Sequence, residues 1–458
     1  MPSVPFTRQG LEGIVAVGSS IRLEVERMAY GADAISHADD GKTVFVSGGI
    51  TGDVVEARVV SDGPSFARAE VTEVLEPSPL RVAPSCPYAG ICGGCPWAAL
   101  SREAQLAAKR ANVVDSLIRI GHMDQARADA LVGPCEAPSD PWGYRNKVEL
   151  AFTRNKGRAV IGMHDRGGSN VIKVDRCPLL DARHAKLVKS VSGALSYLSG
   201  SHELGIDRIG IRASRRTRDI EVSLWTSTGA FPRAQVAKVL ADATKATSVV
   251  RVLTKGPQKA RRVSGVERLS GKGHWEERIG SELMAVSAPS FFQVNTAGAQ
   301  RLVELVCDAL GLSEDDEAMD LYCGAGTFTL PLARRTGFVS AVESYGPAVR
   351  DLRRNLERAN LSNVDAVGGD AGREFPDTDA DVIVVDPPRA GLAEDVIKQL
   401  CEQPARAIAY VSCDPATLAR DLARFEERGV FVPTRITPVD LFPQTFHVET
   451  VVLMSRVI

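Results

Sequence analysis

Four segments of the sequence place reactive side chains where strand-like runs stop or start. In the run 410–415 an apolar stretch stops at Cys413, followed by Asp414, suited to cap a helix, and Pro415, suited to its first position. A thiol at a helix N-terminus is biased toward thiolate by the backbone dipole, and the Asp414 carboxylate opposes that bias. Cys413 is therefore a candidate nucleophile, with a buried structural cysteine as the alternative; Cys307, Cys323 and Cys401 keep the structural reading. The run 381–386 delivers Asp386 at a strand end, where Pro387 and Pro388 fix an extended turn before Arg389. The alternative there is a rigid turn with a solvated carboxylate. Phe446-His447-Val448-Glu449-Thr450 offers a base, with Glu449 preferred over His447 because it immediately precedes the last strand. Phe291 and Phe292 offer aromatic faces to an unstacked base, and Gln293 an amide for its edge or for a cofactor. Adjacent phenylalanines are common in cores, so Gln293 is the stronger candidate.

Between these lies a glycine turn, Gly324-Ala325-Gly326-Thr327, after a strand that ends in Asp320-Leu321-Tyr322. Glycines there allow backbone to approach a nucleoside, and Glu343, 17 residues past Gly326 at the next strand end, can accept from both ribose hydroxyls. The third glycine of a dinucleotide fingerprint is missing, which favours S-adenosylmethionine over NAD. A thiol beside a methyl donor suggests a definite reaction. The C5 carbon of uracil is too weak a nucleophile to attack a sulfonium unaided, but thiolate addition at C6 puts enolate density on C5. A base must then remove the C5 proton before the thiolate leaves.

Nine cysteines in a long chain are better read as ligands, nucleophiles or core residues than as disulfides. Cys86, Cys92 and Cys95 lie in a Gly- and Pro-rich turn able to wrap a metal centre, with Cys135 or Cys177 as the fourth ligand. Cys177, followed by Pro178, is the more cluster-like. Zinc and an iron–sulfur cluster remain open on spacing.

Three kinds of pattern surround these residues. Residues 10–75 alternate apolar and polar residues in short runs, which predicts a small five-stranded barrel. Ser101 is suited to cap a helix over 104–120, and after the break between Pro134 and Pro141 strand-like runs (147–152, 220–224) mix with helical ones (182–198, 234–245). Residues 255–273, rich in Gly, Lys and Arg, read as a mobile loop. From about Ala285 strands alternate with helices, which implies a doubly wound, mostly parallel sheet with ligands at the strands' carboxyl ends. The formal net charge of -2 hides an asymmetry. Residues 141–275 hold 26 Lys and Arg against 10 Asp and Glu, a surplus of 16, and the rest of the chain carries a deficit of 18. Such a basic span is expected to meet phosphate. No apolar run approaches the roughly 18 residues of a membrane span, and MPSVPFTRQG has no signal-peptide core, so a soluble, cytoplasmic protein is expected.

In the combination of the glycine turn, Asp386-Pro-Pro-Arg389, the run 412–417 and the terminal run 447–450, the chain resembles the RNA 5-methyluridine methyltransferases over nearly its whole length. The likeness is to the branch with a TRAM barrel and a [4Fe-4S] cluster that modifies uridine in 23S ribosomal RNA. It implies an α/β protein with an OB-like TRAM β-barrel (8–78), a central α+β iron–sulfur and RNA-binding region (79–284) and a Rossmann-like class I methyltransferase domain (285–458). It further implies Cys413 as nucleophile and Glu449 as base. Gln293, Tyr322, Thr327, Glu343, Asp370 and Asp386 would line the S-adenosylmethionine site, and Cys86, Cys92, Cys95 and Cys177 would hold the cluster in a monomeric enzyme. Asp414 and Thr327 stand where well-known members have Asn. The cluster, far in sequence from Cys413, is expected to shape the RNA-binding face rather than carry electrons. Competing readings are the same chemistry on tRNA, methylation of an adenine amino group, and a non-catalytic iron–sulfur RNA-binding protein.

Overall fold

The computed structural model describes residues 15–257 and 261–457. The leading segment MPSVPFTRQG, the first positions of the barrel span (8–14) and residues 258–260 of the expected loop lie outside the described residues.

Residues 20–76 form one six-stranded sheet: β1 (Ser20–Glu24), β2 (Arg27–Met28), β3 (Ala34–His37), β4 (Thr43–Ser47), β5 (Val54–Asp62) and β6 (Phe66–Glu76), in the order β1-β5-β6-β4-β3-β2. The sequence suggested five strands; the two-residue β2 is too short to leave a periodic signal. Alternate residues such as Val44, Val46, Val55, Ala57, Ala67 and Ala69 turn inward, as period-two patterning requires, and meet Trp97 and Leu100 from the segment that follows.

Two helices come next, α1 (Arg102–Arg119) and α2 (Gln125–Leu131). The Ser101 hydroxyl caps α1 by accepting from Ala104 N, which leaves one fewer orphan amide in the first turn. Val113, Val114 and Leu117 of α1 pack into the core of the C-terminal domain, not against the sheet that follows. That sheet holds β7 (Lys147–Asn155), β8 (Arg158–His164), β9 (Val171–Lys173), β10 (Ile206–Ala213), β11 (Ile220–Ser227), β12 (Ser248–Lys255) and β13 (Arg262–Gly271), with α3 (Leu187–Ser199) and α4 (Arg233–Thr244) against one face. The expected loop over 255–273 is corrected by β13, which pairs antiparallel with β12 from Lys255↔Arg262 to Ser248↔Gly271. Its Arg262 and Arg268 side chains sit on the exposed face of an edge strand, where charge is tolerated and discourages further pairing.

A hairpin, β14 (Trp275–Ile279) and β15 (Glu282–Val286), leads into the C-terminal domain, built from α5 (Thr296–Leu310), β16 (Glu317–Leu321), α6 (Thr329–Ala333), β17 (Phe338–Glu343), α7 (Gly346–Ala359), β18 (Val364–Gly368), β19 (Val382–Val385), α8 (Glu394–Glu402), β20 (Ala407–Ser412), α9 (Pro415–Arg428), β21 (Phe431–Val439) and β22 (Glu449–Arg456). The strand order is β18-β17-β16-β19-β20-β22-β21, parallel except for β22, which runs antiparallel to both neighbours. This is the mostly parallel, doubly wound sheet that the sequence implied. Its central strands are apolar on both faces because helices cover both. No described helix is long and apolar enough to cross a membrane.

Candidate active site

The carboxyl ends of the parallel strands gather the reactive residues at one level. Leu321 pairs with Val342 of β17 and with Val385 of β19, so Tyr322, Glu343 and Asp386 emerge side by side one residue later. Asp370 follows β18 two residues past Gly368, the partner of Glu343, and lies beside the Tyr322 ring. The antiparallel strand completes the set. Ser412 of β20 opposes Thr450 of β22, so the next residue on one strand, Cys413, faces the preceding residue on the other, Glu449. Residues 36 apart in sequence are thus brought opposite each other by the β20–β22 register.

Local structure fixes each group. Asp414 caps α9 by accepting from Ala416 N (3.0 Å) and Thr417 N (3.1 Å), with Pro415 in the first turn, as the sequence suggested. The turn after Asp386 is strapped to α9: Thr417 Oγ1 donates to Arg389 O at 3.1 Å, and the buried Asp421 accepts from Leu392 N at 2.7 Å and from Tyr410 Oη at 2.8 Å. Glu343 accepts from Gly324 N (2.9 Å) and Tyr345 N (2.6 Å), which ties its carboxylate to the glycine turn. Gly326 has φ +98°, and a Cβ there would lie 2.6 Å from Leu330 and 2.8 Å from Leu352, so only glycine fits. Tyr322 also holds a left-handed backbone, φ +66°, an outlier of the kind that clusters at ligand sites. Thr327 lies on the same turn, half-buried. Gln293 is buried with no partner for its side-chain oxygen. The adjacent phenylalanines split: Phe292 is in the core, while Phe291 is 68% exposed.

The electrostatics separate the titratable groups. Burial, then Glu449 and Asp386, push the Cys413 thiol up to about 12, with Arg389 acting against them. Burial holds Glu449 well above the usual carboxylate range, reinforced by Asp386, and one of its oxygens has no partner. Asp386 itself is raised to about 7 by burial and by Glu343. His447 moves the other way, down to about 4, through burial and the cations Arg389, Lys109 and Arg145. A raised carboxylate is the stronger base once ionised, and a neutral imidazole with so low a pKa is a weak one.

Sequence reasoning missed two contributors. Tyr30, in the N-terminal sheet module, donates its hydroxyl to the Cys413 carbonyl at 3.2 Å and packs edge-on against Phe446 at 5.5 Å. No local signal could reveal a contact across 383 residues. Asp320 is wholly buried, accepts from Thr329 Oγ1 at 2.6 Å, and leaves its other oxygen unpartnered; burial raises it to about 7.

The cysteines divide clearly. Cys86, Cys92, Cys95 and Cys177 line one cavity of about 360 Å³ together with Tyr88, Trp142 and Arg145. Cys135 instead sits in the core beside α1 and α2, and Cys307 and Cys323 are also buried. Among the described residues no group of three or more His, Cys, Asp or Glu is arranged around a single ion.

Of the basic span's cations, several serve the fold. Arg212 donates to the carbonyls of Ser287 and Ser290, and Arg251 is buried over the Phe231 ring. Lys156 and Arg158, at the β7–β8 turn, are exposed.

Comparisons with known proteins agree with this layout. A TRAM domain model matches residues 15–72, and a tRNA (uracil-5-)-methyltransferase model matches 281–378 and 371–457. An uncharacterised RNA methyltransferase of Thermosynechococcus vestitus is 33% identical over 96% of this chain and 98% of its own length, and one of Clostridium tetani is 32% identical over 90% and 91%. Among solved structures, the Pyrococcus abyssi tRNA (uracil-54, C5)-methyltransferase in complex with S-adenosyl-L-homocysteine superposes with a TM-score of 0.73 at 24% identity, covering 94% of this chain and all of that one. At that identity the likeness establishes a shared fold.

Proposed function

Because the chain belongs to the RNA methyltransferases that join a TRAM domain to a uracil-5-methyltransferase domain, we propose that it methylates C5 of a uridine in RNA with S-adenosylmethionine, through a covalent bond between Cys413 and C6 of the base. One observation carries this reading: the β20–β22 register that sets a buried, unpartnered carboxylate opposite a thiol at the mouth of the sheet. Methylation of an adenine amino group would leave that pair without a role.

The residues present suit the cofactor. Glu343, held by Gly324 N and Tyr345 N, would accept from ribose hydroxyls, Gly326 leaves room for close backbone approach, the buried Gln293 has an unpartnered side-chain oxygen, and Asp386 stands at the neighbouring strand end. Tyr322, Thr327 and Asp370 complete the proposed binding set. When bound, the cofactor supplies an electrophilic methyl group and a sulfonium charge. Cys413 Sγ, after its proton is lost to solvent, would bond to C6 as the thiolate while the electron pair of the C5–C6 double bond moves to C5, which would take the methyl group as the donor's sulfur–methyl bond breaks to leave a neutral thioether. Glu449 removes the C5 proton, the double bond re-forms, and the thiolate leaves. Arg389, the cation beside both groups, favours their anionic forms.

The four-thiol cavity is proposed to hold a [4Fe-4S] cluster, supported by its donor set of four cysteines. Cys86, Cys92, Cys95 and Cys177 would be its ligands. The RNA is proposed to be 23S ribosomal RNA, because the four-cysteine segment is what resembles the ribosomal branch. tRNA is the second reading, favoured by the matched model and by the Pyrococcus enzyme's own substrate. The test is nucleoside analysis of ribosomal and transfer RNA from a deletion strain: loss of 5-methyluridine from 23S RNA supports the proposal, loss from tRNA alone assigns the second reading, and loss from neither refutes both.

A further inference from the structure

Three consecutive residues, Tyr144, Arg145 and Asn146, run from the cysteine cavity to the two loops that carry the catalytic groups. Arg145 is half-buried and lines the cavity with the four thiols. Among the described residues it forms no ion pair with a carboxylate; the groups facing it are the thiols of Cys177 and Cys95 and the Tyr144 phenol. Its backbone N donates to Leu179 O at 2.7 Å, two residues past Cys177, and it bridges Leu180 on one side and Asn295 on the other. A guanidinium that faces thiols and no carboxylate is suited to an anionic occupant of the cavity, as a thiolate-bound cluster would be.

The neighbours of Arg145 point away from the cavity. The Tyr144 hydroxyl donates to Pro443 O at 3.1 Å, in the loop 440–448 that delivers His447 and Glu449. That loop needs holding. Gln444 sits at φ +72°, a conformation that a non-glycine residue keeps only under constraint. Asn146 grips the other loop: its Nδ2 donates to Gln293 O (2.9 Å) and Thr296 Oγ1 (3.1 Å), and its backbone N to Val294 O (2.8 Å). The Arg145 Nε donates to the Tyr144 hydroxyl oxygen at 3.3 Å, which links the first grip directly to the cavity.

We propose that Tyr144, Arg145 and Asn146 are positioning residues that tie the order of the Glu449 and Gln293 loops to an anionic iron–sulfur site, with Arg145 as its counter-cation. The inference rests on the cluster reading above. It gives the cysteine site a role in methyl transfer that needs no electron flow.

Hydrogen–deuterium exchange of the full-length protein tests it, read on peptides covering 440–448 and 289–296, with α8 as the remote reference and iron content measured in parallel. In protein isolated anaerobically, stripping the iron should raise exchange at least tenfold in both loops while α8 stays within twofold. Tyr144→Phe should retain iron and loosen only 440–448, lowering kcat with KM for S-adenosylmethionine little changed. Arg145→Gln should lose iron and loosen both loops, and Arg145→Lys, which keeps the charge, should recover most of the protection. Iron present with both loops unmoved on stripping overturns the coupling alone, as does a Tyr144→Phe variant with native exchange at 440–448. Absence of iron from the anaerobic protein overturns the cluster reading itself.

Discussion

The state of Cys413 before substrate arrives is open to direct measurement by alkylation. Its thiol is raised from an ordinary 9.0 to about 12, so at pH 8 roughly one molecule in ten thousand carries the thiolate, against about one in ten for an unperturbed thiol. Nucleophilicity rises with basicity, with a Brønsted slope of about 0.4–0.5, which recovers roughly twentyfold of that deficit. Cys413 is half-buried, so solvent screening trims the carboxylates' share of the rise. The expected alkylation rate at pH 8 is therefore about ten- to fiftyfold below that of a free thiol, rising with a slope near one per pH unit past pH 10. The assay is iodoacetamide labelling followed by peptide mass spectrometry, with Cys413→Ser as the blank. S-adenosylmethionine brings a sulfonium into the carboxylate-rich site, and an opposite charge at close range lowers a pKa by about 1–3. Its neutral thioether product, nearly the same shape, should leave the slow rate unchanged. A rate that levels off below pH 8, or labelling as fast as a free thiol, refutes this reasoning.

Glu449→Gln should form the Cys413–RNA bond yet fail to release it, so a methylated covalent complex accumulates on denaturing gels; rapid turnover without adduct would move the base elsewhere. Asp320 binds its proton more tightly in the folded state than in the unfolded one, so it contributes a loss of stability as pH rises from about 4 to about 7. Asp320→Asn should remove that slope and raise stability at pH 8 by a few kcal/mol, because a tenfold difference in proton affinity between the two states is worth about 1.4 kcal/mol; parallel melting profiles for the two proteins between pH 4.5 and pH 8 would contradict it. His447→Gln should keep most of its activity at pH 7.5, because that imidazole is already neutral there; a hundredfold loss of kcat would return His447 to the role of base. Reversing charge at Lys156 and Arg158 should weaken RNA binding and reduce the slope of its logarithmic salt dependence by about one to two, while S-adenosylmethionine affinity stays constant; an unchanged slope places the phosphates elsewhere.

What could be read in the sequence was local. Cys413, Asp414 and Pro415 announced a strand end and a helix start within six residues, and Asp414 does cap α9. Strand–helix alternation after Ala285 gave the sheet, because buried parallel strands are short apolar runs. The missing parts depend on residues far apart. Nothing near Tyr30 suggests Cys413, and nothing in α1 suggests that Lys109, Arg102 and Gln105 clamp the loop before Glu449, with Lys109 and Arg102 on the buried Asp440 and Gln105 on Gln444. The strand β13 was hidden because Arg and Gly on an edge look like loop composition. The choice between Cys135 and Cys177 was open on spacing; the structure puts Cys177 with Cys86, Cys92 and Cys95, and Cys135 in a separate core.

The central claim is a covalent bond between Cys413 and the C6 carbon of a uridine, and RNA carrying 5-fluorouridine at the target tests it most directly. Fluorine at C5 cannot leave as a cation, so after methyl transfer Glu449 has no proton to remove and the adduct is trapped. The account predicts a stable protein–RNA complex that forms only with S-adenosylmethionine, carries the methyl group, and maps by mass spectrometry to the peptide containing Cys413. A complex on another residue, or steady release of product from the fluorinated RNA, would contradict it.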